Sequence, residues 1–82
     1  MAKYTRTFTQ DFDKVLQRVV SAVMDGSASA TLEEQWDSAG VYSRCAVRVF
    51  ERYSYTGNNR VSMSVTLYQD EGRVHLCAIT SG

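Results

Sequence analysis

The chain has 82 residues, of which 44% are hydrophobic, 11% aromatic and 22% charged. This composition is typical of one globular domain near the lower size limit for an independent core, and it excludes a disordered or low-complexity chain. Nine basic residues balance nine acidic ones, which disfavours a partner held by bulk charge alone, such as non-specific DNA or an anionic membrane. We therefore expect residues 1–82 to form a single small domain.

The first predicted elements are a strand and an amphipathic helix. Alternating threonine and aromatic residues predict a strand over residues 3–9. We expect Thr9 to cap the helix that follows and Gly26 to end it in a left-handed conformation. Three- and four-residue spacing predicts one apolar helix face turned toward a core. The residues of that face are Phe12, Val15, Leu16, Val19, Val20, Val23 and Met24.

After Gly26 the sequence alternates with period two, which predicts four further strands. In the second strand, the residues expected to face the core are Ala28, Ala30, Leu32 and Trp36. Residues 37–40 are expected to turn the chain into a long third strand. The face of the third strand expected to meet the core carries Val41, Cys45, Val47, Val49, Tyr53 and Tyr55.

The last two strands show the clearest alternation in the chain. The residues predicted to face the helix are Val61, Met63, Val65 and Leu67, followed by Val74, Leu76 and Ala78. The opposite face then carries Ser62, Ser64, Thr66 and Tyr68, followed by Arg73, His75, Cys77 and Ile79. Residues 56–59 are expected to turn between the third and fourth strands, and residues 69–72 to form a type I turn with Gly72 left-handed.

The order strand, helix, four strands predicts an α+β fold in which the helix packs on one face of a twisted antiparallel sheet. The first strand is expected beside the second, as in cystatin-like folds, or beside the last, as in helix-grip folds. Strand direction favours the position beside the last strand. One helix covers one face only, so the other face has no predicted covering element.

A candidate binding face combines arginines with aromatic residues. Its members are Tyr42, Arg44, Arg48, Phe50, Arg52 and Tyr68. If β-pairing places Phe50 opposite Thr66, these six residues are expected together on the face of the sheet away from the helix. Arginines and aromatics on an open sheet can hold phosphates and stack bases, although the neutral net charge favours a solvated face.

Glu51 interrupts the pattern, because its position in the third strand falls among the residues expected to face the core. An unpaired buried carboxylate is costly. The alternatives are a β-bulge that turns it outward, a place at the sheet rim, or a helix partner such as Arg18 or Lys14.

The titratable residues indicate no catalytic or metal site. His75 and Cys77 share a strand face, but zinc prefers four ligands and Cys45 is expected on the opposite face. The two cysteines are expected to be reduced thiols, as in the cytoplasm. Because no acid, base and nucleophile converge, we expect a protein that is not an enzyme and that holds no metal or cofactor.

No hydrophobic run approaches the roughly 20 residues that a membrane span needs. The amino terminus also lacks the apolar segment of a signal peptide. We therefore expect a cytoplasmic protein without a membrane partner.

Two segments are distinctive, namely CAVRVFERYSYTGNNRVSMSVTL at residues 45–67 and AITSG at residues 78–82. Together with the opening MAKY and the DFD before the helix, they resemble a family of small proteins from Gram-positive anaerobic bacteria. That family is known only as a domain of unknown function. The resemblance implies an α+β cytoplasmic protein with no assigned activity, and it transfers no functional residues.

The leading functional hypothesis is a non-enzymatic module that associates with itself, most simply as a symmetric homodimer. An uncovered sheet face, and more aromatic residues than one helix can bury, favour this hypothesis. Pairing through the second or the last strand would also protect an exposed sheet edge. The alternative is a module that binds a small anionic ligand or single-stranded nucleic acid through the arginine-bearing face.

Overall fold

The computed structural model describes residues 1–54 and 59–81. Within them lie one helix and five strands. Their bounds are β1 (Ala2–Phe8), α1 (Phe12–Asp25), β2 (Thr31–Ala39), β3 (Arg44–Tyr53), β4 (Arg60–Asp70) and β5 (Arg73–Ser81). The predicted α+β class, with an antiparallel sheet and a helix between the first two strands, is confirmed. Tyr55 and most of the predicted turn at 56–59 lie outside the described residues.

The strands form one antiparallel sheet in the order β1-β5-β4-β3-β2. Of the two positions left open for β1, the structure shows the one beside β5, with Arg6 opposite Leu76. In the described part of the chain, the sheet edges are therefore β1 and β2. The expectation that the last strand could offer an edge for pairing is wrong, because β5 is bonded on both sides.

The core lies between α1 and one side of the sheet, which we name the helix face. Phe12 and Val15 of α1 are buried there. The sheet residues buried with them are Ala46, Phe50, Val65, Leu67, Val74 and Leu76. Leu16, Val19 and Met63 pack against this cluster. The prediction that the apolar sides of β4 and β5 meet the helix is confirmed. We name the other side of the sheet the open face.

The predicted sidedness of β3 is wrong. Phe50 lies opposite Met63, and Arg48 lies opposite Val65, so both point toward α1 rather than away from it. The expected register differs from this one by three positions, and any odd shift moves every side chain of a strand to the other face. The residues of β3 that were expected in the core and lie on the open face are Cys45, Val47, Val49 and Tyr53.

The predicted sidedness of β2 fails at a bulge. The register shifts between Leu32 and Glu34, so Leu32 opposite Phe50 is on the helix face while Trp36 opposite Val47 is on the open face. Regular alternation would place Leu32 and Trp36 on the same side of the sheet, and the extra residue of a β-bulge places them on opposite sides. The expected inward residues Ala28 and Ala30 precede the strand. All nine residues of β2 are exposed.

Both helix ends differ from expectation. The N-cap is Asp11 rather than Thr9, and its carboxylate accepts the N–H of Lys14 at 3.1 Å. Residues 9–11 separate β1 from α1, so Asp11 rather than Thr9 directly precedes the helix. Gly26 ends α1 with φ −74°, not in the left-handed region, because its N–H donates to the carbonyl of Ala22 and keeps the last turn helical.

The hairpin turns also differ in detail. The β2–β3 turn falls at 40–43 rather than 37–40, where the N–H of Gly40 donates to the carbonyl of Ser43 at 2.8 Å, and Val41 is exposed in it rather than in the core. Between β4 and β5, Glu71 and Gly72 have φ 51° and 76°. Two positive φ values are typical of a type I′ turn, which matches the twist of a two-residue hairpin better than the predicted type I turn.

Candidate interaction surface

The six residues of the predicted binding face do not share a face. Arg44, Arg48, Phe50 and Arg52 lie on the helix face of β3, and Phe50 is in the core. Tyr42 is in the β2–β3 turn, and Tyr68 alone lies on the open face. The prediction of one arginine and aromatic surface is wrong because the register of β3 with β4 was wrong.

Arg44 connects β3 to the first turn of the helix. Its Nη1 and Nη2 donate to the two carboxylate oxygens of Asp13 at 3.0 and 2.8 Å, and its guanidinium lies 4.3 Å from the ring centroid of Phe12. The hydrogen bond from Arg44 holds the pKa of Asp13 below its ordinary value. Arg44 is thus occupied in fixing α1 on the sheet.

Arg48 is the buried charge of the helix face, with 9% of its surface exposed. Its Nη1 and Nη2 donate to Asp37 at 2.8 and 3.3 Å, and Nη1 also donates to the carbonyl of Val47 at 2.9 Å. A planar guanidinium suits this paired contact with a carboxylate. The pair ties the exposed strand β2 to β3 and leaves Arg48 little free surface for an anion.

The open face is built from cross-strand rows of directly opposite residues. Two rows cross its centre. The tryptophan row is Thr5, Cys77, Thr66, Val47 and Trp36, and the lysine row is Lys3, Ile79, Ser64, Val49 and Glu34. Each row has small hydroxyl residues at β4 and apolar residues on the strands beside it. Within 1–54 and 59–81, no helix or second sheet packs against this face.

One end of the open face carries an aromatic and histidine pair. The ring centroids of Tyr68 and His75 are 6.4 Å apart, and Thr7 Oγ1 is 3.1 Å from His75 Nδ1. Cys45 and Cys77 lie on this same face, contrary to the expectation of opposite faces. The described residues include no group of three or more His, Cys, Asp or Glu residues able to hold a metal ion.

The other end of the open face carries a paired charge cluster. Arg60 lies between Glu51 and Glu33, with Nε 3.0 Å from Glu51 Oε1 and Nη2 3.6 Å from Glu33 Oε2. Its guanidinium also lies 5.5 Å from the ring centroid of Tyr53. Glu51 therefore does not face the core, and its partner is Arg60 rather than a helix residue.

Two charges of the lysine row are left without a partner. Lys3 on β1 and Glu34 on β2 are both exposed, and neither forms an ion pair with any residue that the structure describes. They stand at opposite edges of the sheet, four strand spacings or about 19 Å apart. The row is thus positive at one end, apolar and hydroxylic in the middle, and negative at the other end.

A cavity of about 420 Å³ opens between the carboxyl end of α1 and the end of the sheet. Its lining combines apolar residues such as Val23, Phe50 and Met63 with polar and charged ones such as Glu51 and Thr80. Its size is within the range of small-molecule sites. Histidine and cysteine are absent from the residues found to line it.

The open-face residues that the sequence pattern places in the core include Trp36, Val47 and Val49. Period-two alternation puts all three on the core side of their strands. The signal that places Trp36 outside is the acidic pair Glu33 and Glu34, since two consecutive charges cannot both alternate outward without a bulge. Tyr53 gave no comparable signal.

In the described part of the chain, no helix is long and apolar enough to cross a membrane. The fold is similar to the crystal structure of PA94, a Pseudomonas aeruginosa protein of unknown function described as a candidate regulator. The TM-score is 0.68 at 8% sequence identity, and the match covers 99% of this chain and 70% of that one. At this identity the likeness concerns the fold alone. No curated protein matches the chain.

The family comparison covers the whole chain. A model described as a family of unknown function, DUF6054, matches residues 1–82. This agrees with the resemblance found in residues 45–67 to a domain without assigned activity. The chain belongs to this family of unknown function.

Proposed function

We propose that the protein is a non-enzymatic interaction module that forms a homodimer, in which a second copy covers the open face of the sheet. The single observation that supports this most is the amount of apolar surface on that face. Trp36 is 59% exposed and Ile79 is 37% exposed. Val47 and Val49 lie between them with only neighbouring side chains for cover.

Apolar residues are grouped on the open face, where two are exposed and two are half-buried. Trp36, Val47, Val49 and Ile79 lie in two adjacent rows. Large exposed apolar patches commonly mark interaction sites, and here the hydroxyl residues of β4 separate Ile79 from the other three. An antiparallel sheet tolerates one wet face when that face is polar, and the serine and threonine residues of β4 meet this condition only along the centre line.

The overall shape also favours a missing layer. The principal extents are 44 × 19 × 18 Å and the radius of gyration is 13.3 Å, whereas a compact chain of this length would have about 12 Å. A helix and a sheet with one uncovered side form half of a closed structure. A second copy stacked on the open face would provide the other half.

Pairing through the edge of β2 is a weaker route to a dimer. The strand carries Glu33, Glu34 and Asp37 and no basic residue. Two copies of β2 paired antiparallel would bring these carboxylates together, and like charges on facing strands repel. The open face is nearly balanced in charge, so it does not have this disadvantage.

Binding of nucleic acid or of a small anion has less support. Arg44 and Arg48 would have to give up Asp13 and Asp37 to reach a phosphate, and the arginines of β3 lie on the helix face rather than on the open face. Absence of enzymatic activity, and a cytoplasmic location in a Gram-positive anaerobe, remain part of the proposal and rest on the sequence. Classification as a helix-grip fold has the support of the β1–β5 pairing.

Sedimentation velocity from one to one hundred micromolar tests the proposal. We expect a concentration-dependent shift from monomer to dimer in the wild-type chain. Val49→Lys places a charge in the centre of the open face and should abolish the dimer, whereas Gln17→Lys on the exposed side of α1 should not. A wild-type chain that stays monomeric throughout this range would contradict the proposal.

A further inference from the structure

We propose that the two copies stack open face on open face about a twofold axis parallel to β4, so that Lys3 of each copy contacts Glu34 of the other. This inference rests on the proposed homodimer and adds its geometry and its charge pairing. The observations behind it are the sheet order, the row register and the two charges left unpaired.

The sheet order determines which strands face each other. With the axis over the middle strand β4, β4 faces β4 of the second copy, β5 faces β3, and β1 faces β2. Rotation about an axis along the strands leaves each row at its own level. The lysine row of one copy therefore lies over the lysine row of the other, in reverse order.

The reversed lysine rows are complementary along their whole length. Lys3 meets Glu34, Ile79 meets Val49, and Ser64 meets Ser64 at the axis. Both ends of the row gain an ion pair, and the apolar residues are matched with each other. Stacked sheets are about 10 Å apart, a distance that side chains of these sizes span.

Other symmetric arrangements lack this complementarity. A twofold axis in the interface but perpendicular to the strands would stack β1 on β1 and β2 on β2. Lys3 would then lie against the β1 edge of the second copy, and Glu34 against its β2 edge. The β2 edge is acidic, so Glu34 would then face carboxylates. Of the twofold axes that lie in the interface, the one along β4 pairs the opposite charges.

The remaining charges of the open face do not oppose this arrangement. Arg60 is already paired with Glu33 and Glu51, and Asp70 lies opposite Arg73 across the β4–β5 hairpin. Lys3 and Glu34 are thus the charges that gain a partner on association. Two unpaired charges of opposite sign, at the two ends of one row, favour a second copy of this surface over a polyanion.

The area is sufficient for a dimer. Five strands about 4.8 Å apart and four rows about 6.7 Å apart give about 600 Å² on each copy, or roughly 1,200 Å² in total. Stable interfaces begin at about this size. Contacts at the lower end of the range suit a dimer that dissociates in the micromolar range.

Trp36 provides a probe of the same interface. It is the only tryptophan in the chain, and the stacking places it over Thr5 of the second copy. Its emission should shift to shorter wavelength as the concentration rises. The shift should follow the dimer fraction measured by sedimentation.

Charge reversal tests the arrangement. Lys3→Glu places two like-charged contacts in each dimer, and so does Glu34→Lys. Each should raise the dimer Kd by about tenfold or more. Lys14→Glu, the same change on the exposed side of α1, should leave Kd within about twofold of wild type. Circular dichroism of each variant monitors the fold.

Mixing the two variants gives the decisive result. A K3E chain has acidic groups at both ends of the lysine row, and an E34K chain has basic groups at both ends. The 1:1 mixture should therefore form a heterodimer with a Kd within about threefold of the wild-type value. Sedimentation of the mixture at a concentration where each variant alone is monomeric measures it.

The outcomes separate this inference from the proposed function. A wild-type chain that remains monomeric would contradict both. A wild-type dimer that is unaffected by K3E and E34K would support the homodimer and overturn this stacking. The stacking would also be overturned if K3E and E34K each weaken the homodimer but their mixture forms no heterodimer. That result would show that the two substitutions act without the predicted contact between Lys3 and Glu34.

Discussion

The two faces of the sheet use nearly the same residue types for different purposes. On the helix face, Phe50, Val65 and Leu67 are closed under α1, and the arginines beside them are held by carboxylates. On the open face, Trp36, Val47 and Val49 are apolar but uncovered. An apolar residue in a strand thus does not show by itself which face of the sheet the helix covers.

The same contrast applies to the charges. Each arginine of the helix face that contacts an acid does so within the chain, at 2.8 Å for both Arg44 and Arg48. On the open face, Lys3 and Glu34 stand apart at opposite edges. The charges of the helix face are therefore paired within the chain, whereas in the proposed homodimer a second copy would pair those of the open face.

The largest expected effect concerns which face is the core. Phe50→Ala should lower the free energy of unfolding by about 4 kcal/mol, since Phe50 is 2% exposed and its removal leaves a cavity. Val49→Ala, its neighbour on the open face, should cost about 1 kcal/mol or less in the monomer. Urea unfolding at low protein concentration measures both. Equal losses of unfolding free energy in the two variants would contradict the assignment of Phe50 to the core and Val49 to the open face.

The next effect concerns the buried arginine. Arg48→Ala should cost about 2 kcal/mol, because it removes the packed side-chain stem together with the contact to Asp37. Arg48→Met keeps most of the apolar stem and should cost less than about 1 kcal/mol, since Asp37 is exposed and can be solvated. Thermal unfolding of the two variants separates the contribution of the packed side-chain stem from that of the ion pair with Asp37. A larger loss for Arg48→Met would contradict this account.

On the open face the expected effect is on association rather than on folding. Trp36→Ala should leave the free energy of unfolding of the monomer within about 0.5 kcal/mol, because the side chain is 59% exposed. It should raise the dimer Kd about tenfold or more, as expected for an aromatic residue in an interface. Sedimentation equilibrium tests this. The matched control is Tyr42→Ala, which removes an exposed aromatic in the β2–β3 turn.

The smallest effect is on pH dependence. Because the folded-state pKa of Asp13 lies below its ordinary value of 3.8, the carboxylate contributes stability above that pH and loses it as the pH falls through the folded pKa. In an NMR titration, the Asp13 carboxyl should titrate below 3.8 in the wild type and return toward that value in Arg44→Gln. An unchanged midpoint in Arg44→Gln would show that Arg44 is not the cause.

The sequence was sufficient for the parts of the fold that depend on local pattern. Alternation in β4 and β5 identified the residues that meet the helix, because both strands are regular and their faces differ sharply in polarity. The apolar side of α1 was predicted from its spacing in the same way, except at Met24, which is exposed at the last turn instead of packed on the core. Strand direction also favoured the position of β1 beside β5.

The candidate surface could not be predicted because it depends on register and on a bulge. On β3, valines alternate with arginines and Phe50, so either side could be assigned to the core from polarity alone. The valine side was preferred, but the core takes the aromatic ring and pairs the arginines with Asp13 and Asp37. On β2, one extra residue at Glu33 moved Trp36 to the open face. Neither the register of β3 nor the bulge in β2 changes the strand propensity of the residues involved, so local sequence pattern does not reveal them.

The most direct test of the stacked homodimer is an isotope-filtered NOE experiment on a mixture of labelled and unlabelled chains. Val49 and Ile79 lie two strands apart on one open face, about 10 Å from each other, so a methyl contact between them across chains reports on stacking. We expect intermolecular NOEs between the methyl groups of Val49 and Ile79. Intermolecular NOEs that involve only α1 or the outer edge of β2, or none at concentrations where the chain is dimeric, would contradict the account.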